Sequence, residues 1–263
     1  MERTLGCIPH GKTADEKIEA LRIIKDVGFT HYFIGVSNDK KDDAERIMNA
    51  ARNIGLELDE VHCMWTRINH IWYDDPHGEV PTDMMLETLD FCAQHDVPIM
   101  VIHDSSGRTA PDMSNAGLAR FRRIFEAGNE KGVKIAVENL RRTNNTARIF
   151  HENKDIPVYH CWDSGHENCY TPGVEHLALF PGKQVCTHIH DNRGIFTVDD
   201  HYLPFDGTID WAKKAALLKA ANYEGVLTLE VERRAAPYTD WSDEKCYREA
   251  FARISKIAEM CGR

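Results

Sequence analysis

Two apolar runs in the second half of this sequence end on a carboxylate. Val133-Lys134-Ile135-Ala136-Val137 leads into Glu138, and Val226-Leu227-Thr228-Leu229 leads into Glu230. A carboxylate that closes a buried strand is costly unless it meets a cation or a counter-charge. For either Glu alone, a salt bridge to an arginine across the strand ends explains the pattern equally well. The pattern recurs, however. Comparable runs stop near His62, at His103, at Asp163 and at His188. Gathered together, Glu138, Asp163, His188 and Glu230 offer three carboxylates and one imidazole. That hard-to-borderline donor set suits Mn2+, Mg2+, Co2+ or Zn2+ and leaves positions for water or substrate. Cys161 falls on the same side of its run as Asp163 but reads as a small core residue. Further polar groups cluster nearby in sequence: His166 after Asp163, the run His188-Ile189-His190-Asp191, and Asp199-Asp200-His201.

Residues so far apart meet only if the elements carrying them share one rim. Short runs rich in β-branched residues alternate with stretches of helical period, the pattern of a parallel sheet wrapped by helices. Eight strands are predicted: Thr4 to Ile8, Thr30 to Ile34, Leu56 to Cys63, Pro98 to His103, Lys134 to Glu138, Val158 to Asp163, Gln184 to His190 and Gly225 to Glu230. The predicted helices run Ala14 to Val27, Lys41 to Ile54, Thr82 to His95, Asn115 to Lys131, Asn145 to Glu152, Val174 to Phe180, Trp211 to Ala221 and Ser242 to Cys261. Gly28, Gly55 and Gly132 each follow a periodic stretch, where a left-handed C-cap is expected. The expected fold class is α/β, a single (β/α)8 barrel over residues 1–263, a length usual for that architecture. In such a barrel all strand carboxyl ends lie on one face, where chemistry is placed. A doubly wound open sheet is the alternative, but Gly6 stands alone after the first strand and no Gly-x-Gly-x-x-Gly follows.

Composition narrows the function classes. A net charge of −10 opposes a general affinity for nucleic acid, whose binding draws on Lys and Arg. No run approaches the ~18 apolar residues of a membrane span, and the first residues lack a basic, then apolar, leader, so a cytoplasmic protein is expected. The eight cysteines show no Cys-x-x-Cys spacing and are expected to be free, buried thiols. There is no Gly-x-Ser-x-Gly elbow and no phosphate-cradling P-loop. Trp65, Trp72, Tyr73 and Trp162 are candidate walls of a sugar pocket, with hydrophobic cover for the barrel mouth as the plainer role. The segment from Thr66 to Pro81 is long enough for a lid or an interface. Arg67, Arg108, Arg141 and Arg142 are candidate phosphate contacts.

Val137-Glu138-Asn139, Trp162-Asp163-Ser164-Gly165-His166, His188-Ile189-His190-Asp191-Asn192, Asp199-Asp200-His201, the run Pro204 to Trp211, and Leu229-Glu230 carry a resemblance over most of the chain. On them the sequence resembles the sugar phosphate isomerase/epimerase family of xylose isomerase-like barrels. That superfamily also holds endonuclease IV, ketohexose epimerases and inosose-processing enzymes. The resemblance implies one divalent ion, Mn2+ first among the four, held by Glu138, Asp163, His188 and Glu230. It makes Glu138 and Glu230 an acid/base pair for proton transfer next to a carbonyl, through a metal-stabilised enediolate. His62, His103, His166, His190, Arg193 and His201 become substrate contacts. The partner implied is a small sugar or sugar phosphate, with neither nucleic acid nor membrane, and a homodimer or homotetramer is the family-level expectation. A rival within the superfamily is an endonuclease IV-like trinuclear phosphodiesterase, for which His62, His103, His166, Asp199 and His201 would be additional ligands. A dehydratase of the same superfamily and a non-catalytic carbohydrate-binding barrel would also fit these residues.

Overall fold

The computed structural model describes residues 3–233 and 237–262. Eight parallel strands follow one another around a ring: β1 (Leu5–Cys7), β2 (His31–Val36), β3 (Glu57–Cys63), β4 (Ile99–Ile102), β5 (Lys134–Glu138), β6 (Tyr159–Asp163), β7 (Gln184–His188) and β8 (Leu227–Leu229). Sheet order is β7-β6-β5-β4-β3-β2-β1-β8. A parallel bridge between Ile189 and Leu229 joins the two ends. Ile189 N donates to Thr228 O and Glu230 N donates to Ile189 O, so the α/β barrel expected from the alternating pattern closes.

Helices lie between the strands: α1 (Ala14–Val27), α2 (Lys41–Asn53), α3 (Glu79–Gln94), α4 (Asn115–Lys131), α5 (Thr143–Glu152), α6 (Ser164–Tyr170), α7 (His176–Leu179), α8 (Trp211–Ala220) and α9 (Asp243–Met260). Local chemistry sets their ends. Thr13 and Glu16 form a capping box at the start of α1, and Gly28, at φ 115°, ends it in the left-handed region. Gly132 does the same for α4 at φ 72°. The main core lies between the barrel wall and this helical shell, whereas a smaller apolar layer, Ile99, Val101, Ala136, Cys161 and Cys186, fills the barrel interior. All eight cysteines are free and buried, as expected. Among the described residues no helix is long and apolar enough to cross a membrane.

Three expectations change. Residues 164–170, expected to be loop, form α6, because the Asp163 side chain caps it by accepting from His166 N at 2.6 Å. Glu230 and His190 lie just beyond their strands rather than within them. The segment from Thr66 to Pro81, long enough for a lid or an interface, is not loop throughout. It holds two 3-10 turns, Ile68–Trp72 and Pro76–Gly78, and the start of α3. Arg120, buried under it, donates to the carbonyls of Ile71, Tyr73 and Asp75 and pairs with Glu79 at 2.8 Å. Gly78 is required there, since a Cβ would overlap the Arg120 guanidinium.

Candidate metal centre

Glu138 closes β5 at the rim and is the residue around which the site is organised. Its Oε1 lies 2.7 Å from His188 Nδ1, and its Oε2 lies 2.6 Å from His103 Nε2 and 3.3 Å from His62 Nε2. Glu138, Asp163, His188 and Glu230 can each present one donor atom within 4.8 Å of the others, the quartet expected from sequence. Three of the four are buried, and Glu230 reaches them from just past β8, its Oε2 3.3 Å from His188 Nδ1. Asp163 is fixed from its backbone outward. Its N–H donates to Asn139 Oδ1 at 2.7 Å, and Asn139 Nδ2 donates to its carbonyl at 2.8 Å.

Two further clusters flank the quartet. His62 and His103 share Glu138 with it. On the other side, His166, His190, Asp199 and His201 bring their donor atoms within the same 4.8 Å of one another. Asp199 Oδ2 lies 3.0 Å from His166 Nε2 and 3.1 Å from His201 Nε2. His201 Nδ1 donates to Glu230 O at 2.9 Å, tying this cluster to the quartet through the chain itself.

The electrostatics are those of a site built for positive charge. Burial works to raise the Glu138 carboxyl, and the imidazoles of His188, His103 and His166 outweigh it, holding the group well below the usual carboxylate range. Asp199 is likewise pulled down by His190, His166 and His201 against its burial. Burial works to lower His166 and His201, but their acidic neighbours push them up to about 9 and about 10. His103 goes the other way: burial takes it down to about 4 despite Glu138, which keeps it a neutral imidazole with a lone pair to offer.

A cavity of about 370 Å3 opens onto this rim, lined in part by His62, His103, Glu138, His166, His201 and Glu230. Of the aromatic candidates only Trp65 lines it, stacked on His103 at 4.6 Å between ring centroids and 42% exposed. Trp72 and Trp162 are core residues whose indole N–H groups donate to Asp104 O and Glu167. Tyr73 is exposed and stacks on His70.

Two expected substrate contacts fall elsewhere. Arg193 is 52% exposed and locked in a two-pronged pair with Asp200, at 2.8 and 3.1 Å, outside the cavity lining. His190 is fully buried behind the rim, stacked on His201 at 4.0 Å and 3.1 Å from Asp163, so it supports the site rather than facing the cavity. Gly165 makes room for it, because a Cβ would overlap the His190 ring. Sequence reasoning passed over Tyr170 and Glu60. Tyr170 lines the cavity and donates to Asp199 at 3.3 Å; Glu60 lies 2.5 Å from His188 Nε2. Glu60 stands two residues before His62 in β3, and strand alternation alone would have put it on the same face.

The fold is shared with proteins of known structure. It superposes on L-ribulose 3-epimerase with a TM-score of 0.79, at 15% identity, over 98% of this chain and 95% of that one. It superposes on D-allulose 3-epimerase from Methylomonas sp. with a TM-score of 0.78, at 14% identity, over 97% and 98% of the two chains. The uncharacterized protein y4fM of Sinorhizobium fredii is 28% identical over 95% of this chain and 92% of its own length. The family model for the xylose isomerase-like TIM barrel matches residues 21–257, nearly the whole sequence, and the chain belongs to that family.

Proposed function

We propose that the protein is a metal-dependent sugar isomerase or epimerase that moves a proton next to a carbonyl, with Glu138 and Glu230 as its acid/base pair. One observation carries this reading. Of the four quartet residues, Asp163 and His188 are buried out of the cavity, whereas Glu138 and Glu230 belong to the quartet and also line the cavity wall. Two carboxylates are thus available to substrate while their partners hold the charge beneath them. The fold shared with sugar epimerases supports the same class.

The donor set fits a divalent ion: three carboxylates and an imidazole, close-set and largely buried, without a thiolate. Such an ion, once bound, would polarise a carbonyl and a neighbouring hydroxyl and so acidify the C–H between them. The chain's own part is to receive that proton on one glutamate oxygen and return one from the other. His166, held toward its charged form, suits donation to a substrate hydroxyl, and Trp65 covers the histidine side of the cavity. Arg141 extends the reading to a phosphorylated sugar. It lines this cavity and also an adjoining one of about 780 Å3, which Arg142 and Arg148 share.

The second reading, a three-metal phosphodiesterase, is favoured by the division of Glu138 between the quartet and His62/His103, with a third donor cluster beside them. One experiment separates the two. Metal content of protein purified without chelator is measured while ketoses and their phosphates are incubated in deuterium oxide, with abasic-site DNA in parallel. The proposed activity predicts one tightly held ion, deuterium on the carbon adjacent to the carbonyl, and loss of that exchange in Glu138→Gln with the fold intact. Three ions with DNA cleavage and no exchange would replace it by the second reading.

A further inference from the structure

Glu60 is the buried acid that the proposed chemistry leaves unused. A β-bulge at Asp59 sets Glu60 opposite Phe33 in β2, and its side chain has no exposure. Its Oε1 lies 2.5 Å from His188 Nε2, and its Oε2 has no hydrogen-bond partner. Among the described residues no Lys or Arg pairs with it, and His188 is its ion-pair partner. Cys161 and Cys186 come near it, but burial pushes both thiols up, the second to about 12, and they remain neutral. An acid placed at such cost is expected to act on its neighbour.

The neighbour has two ring nitrogens with different tasks. His188 Nδ1 faces Glu138 and Glu230, at 2.7 and 3.3 Å, and is the nitrogen that belongs to the quartet. It can donate a lone pair to a cation only when the ring proton sits on Nε2, which is the nitrogen that Glu60 meets. The ring plane is fixed independently by Phe33, stacked at 4.7 Å, and His62, stacked at 5.5 Å. We propose that Glu60 is a positioning residue: by accepting from Nε2–H it holds His188 in the tautomer and orientation that turn Nδ1 toward the cation. This inference rests on the metal-centre reading and adds a residue to it. Carboxylates behind a metal-binding histidine raise its basicity and fix its ring, and their loss typically weakens metal binding 10- to 100-fold.

The test compares two variants of similar size in the full chain. Glu60→Gln keeps an acceptor for Nε2–H, and Glu60→Met does not. Chelator-stripped protein is titrated with Co2+ by calorimetry, with circular dichroism as the control for folding. Glu60→Met is expected to lose about 10- to 100-fold in Co2+ affinity, and Glu60→Gln to keep most of the wild-type affinity. Equal affinities for wild type and Glu60→Met, or an equal loss in both variants, would overturn the role of the acceptor. A second arm needs no variant. Nitrogen NMR of 15N-histidine-labelled wild type with Zn2+ bound is expected to show the His188 proton on Nε2, and a proton on Nδ1 overturns the proposal. Failure of the wild type to bind Co2+ or Zn2+ removes the metal-centre reading itself, a result distinct from any difference between the variants.

Discussion

Arg141 is a guanidinium at the cavity wall whose described contact is the face of Tyr170, 3.7 Å from its carbon to the ring centroid. Its Nε is buried without a hydrogen-bond partner. Among the residues lining the adjoining cavity there are three arginines against one acid, Asp112. Arg142 already donates to Pro111 O and Ala110 O, and Arg148 pairs with Glu152 at 2.6 Å, so Arg141 is the donor left for an incoming anion. Arg141→Ala is therefore expected to raise KM for a phosphorylated sugar by about 10- to 100-fold, as loss of a charge-assisted hydrogen bond implies, and to leave the KM of the free sugar nearly unchanged. Steady-state kinetics on the two substrates check this, and an equal rise for both would remove Arg141 as the phosphate anchor. At this scale the quartet was legible in the sequence because apolar runs that end on Glu138, Asp163 and Glu230 have few reasons to do so. Glu60 was passed over: Glu57, Asp59 and Glu60 stand close together in β3 and look like a solvated edge, although alternation with His62 puts Glu60 on the same face. Arg193 misled because the adjacent acids Asp199 and Asp200 divide their work. The first joins the histidines and the second takes the arginine.

The element that most depends on its supports is the segment from β7 to α8, which carries Asp199 and His201. It takes Thr197, His201 and Phe205 through the left-handed region at φ 65°, 50° and 73°, each costing on the order of 1 kcal/mol or more. Asp191 holds it in that path. The buried carboxylate accepts from Asn192 N, Phe205 N, Ile209 N and Trp211 Nε1, at 2.9 to 3.2 Å. Gly207 permits the close approach, since a Cβ would overlap Asp191 and Asn192 O. Asp191→Ala leaves several buried donors unsatisfied and is expected to cost roughly 2–4 kcal/mol. Hydrogen exchange should rise across residues 199–211 while β5 and β6 stay protected, and uniform protection would show that the segment is held by other contacts. The run Pro204 to Trp211 marks this segment in the sequence but does not reveal its shape. A side-chain carboxylate that replaces backbone partners has no periodicity to read. The same holds for α6: Asp163 belongs to the quartet and also caps the helix through Oδ1, so what looked like a loop of ligands is a helical start.

The buried histidines of the β-barrel rim and of the neighbouring helical shell lie in different surroundings. Those at the rim face carboxylates. His160 and His176 instead pack with Phe150 and Phe180 on the side of β6 and α7, and both ring nitrogens of His160 lack partners. Burial lowers His160, as does the nearness of His176; burial, with Lys214 beside it, takes His176 down to about 4. A folded-state value depressed below the unfolded one means that the unfolded chain binds the proton more readily. The stability these neutral rings contribute is therefore present above pH ~6.5, the ordinary histidine value, and is lost as pH falls through the window down to about 4. For His176 alone the loss between pH 7.5 and pH 5 is roughly 2 kcal/mol by linkage. Urea unfolding of metal-free protein at the two pH values is expected to show a smaller drop in His176→Gln and in His160→Leu than in wild type. Restricting the comparison to differences between variants removes the opposing contribution of His166 and His201, whose raised values act above pH ~6.5 and are common to all three proteins. A drop of equal size in all three would move the acid sensitivity from this pair to His103 at the rim, which burial also takes down to about 4.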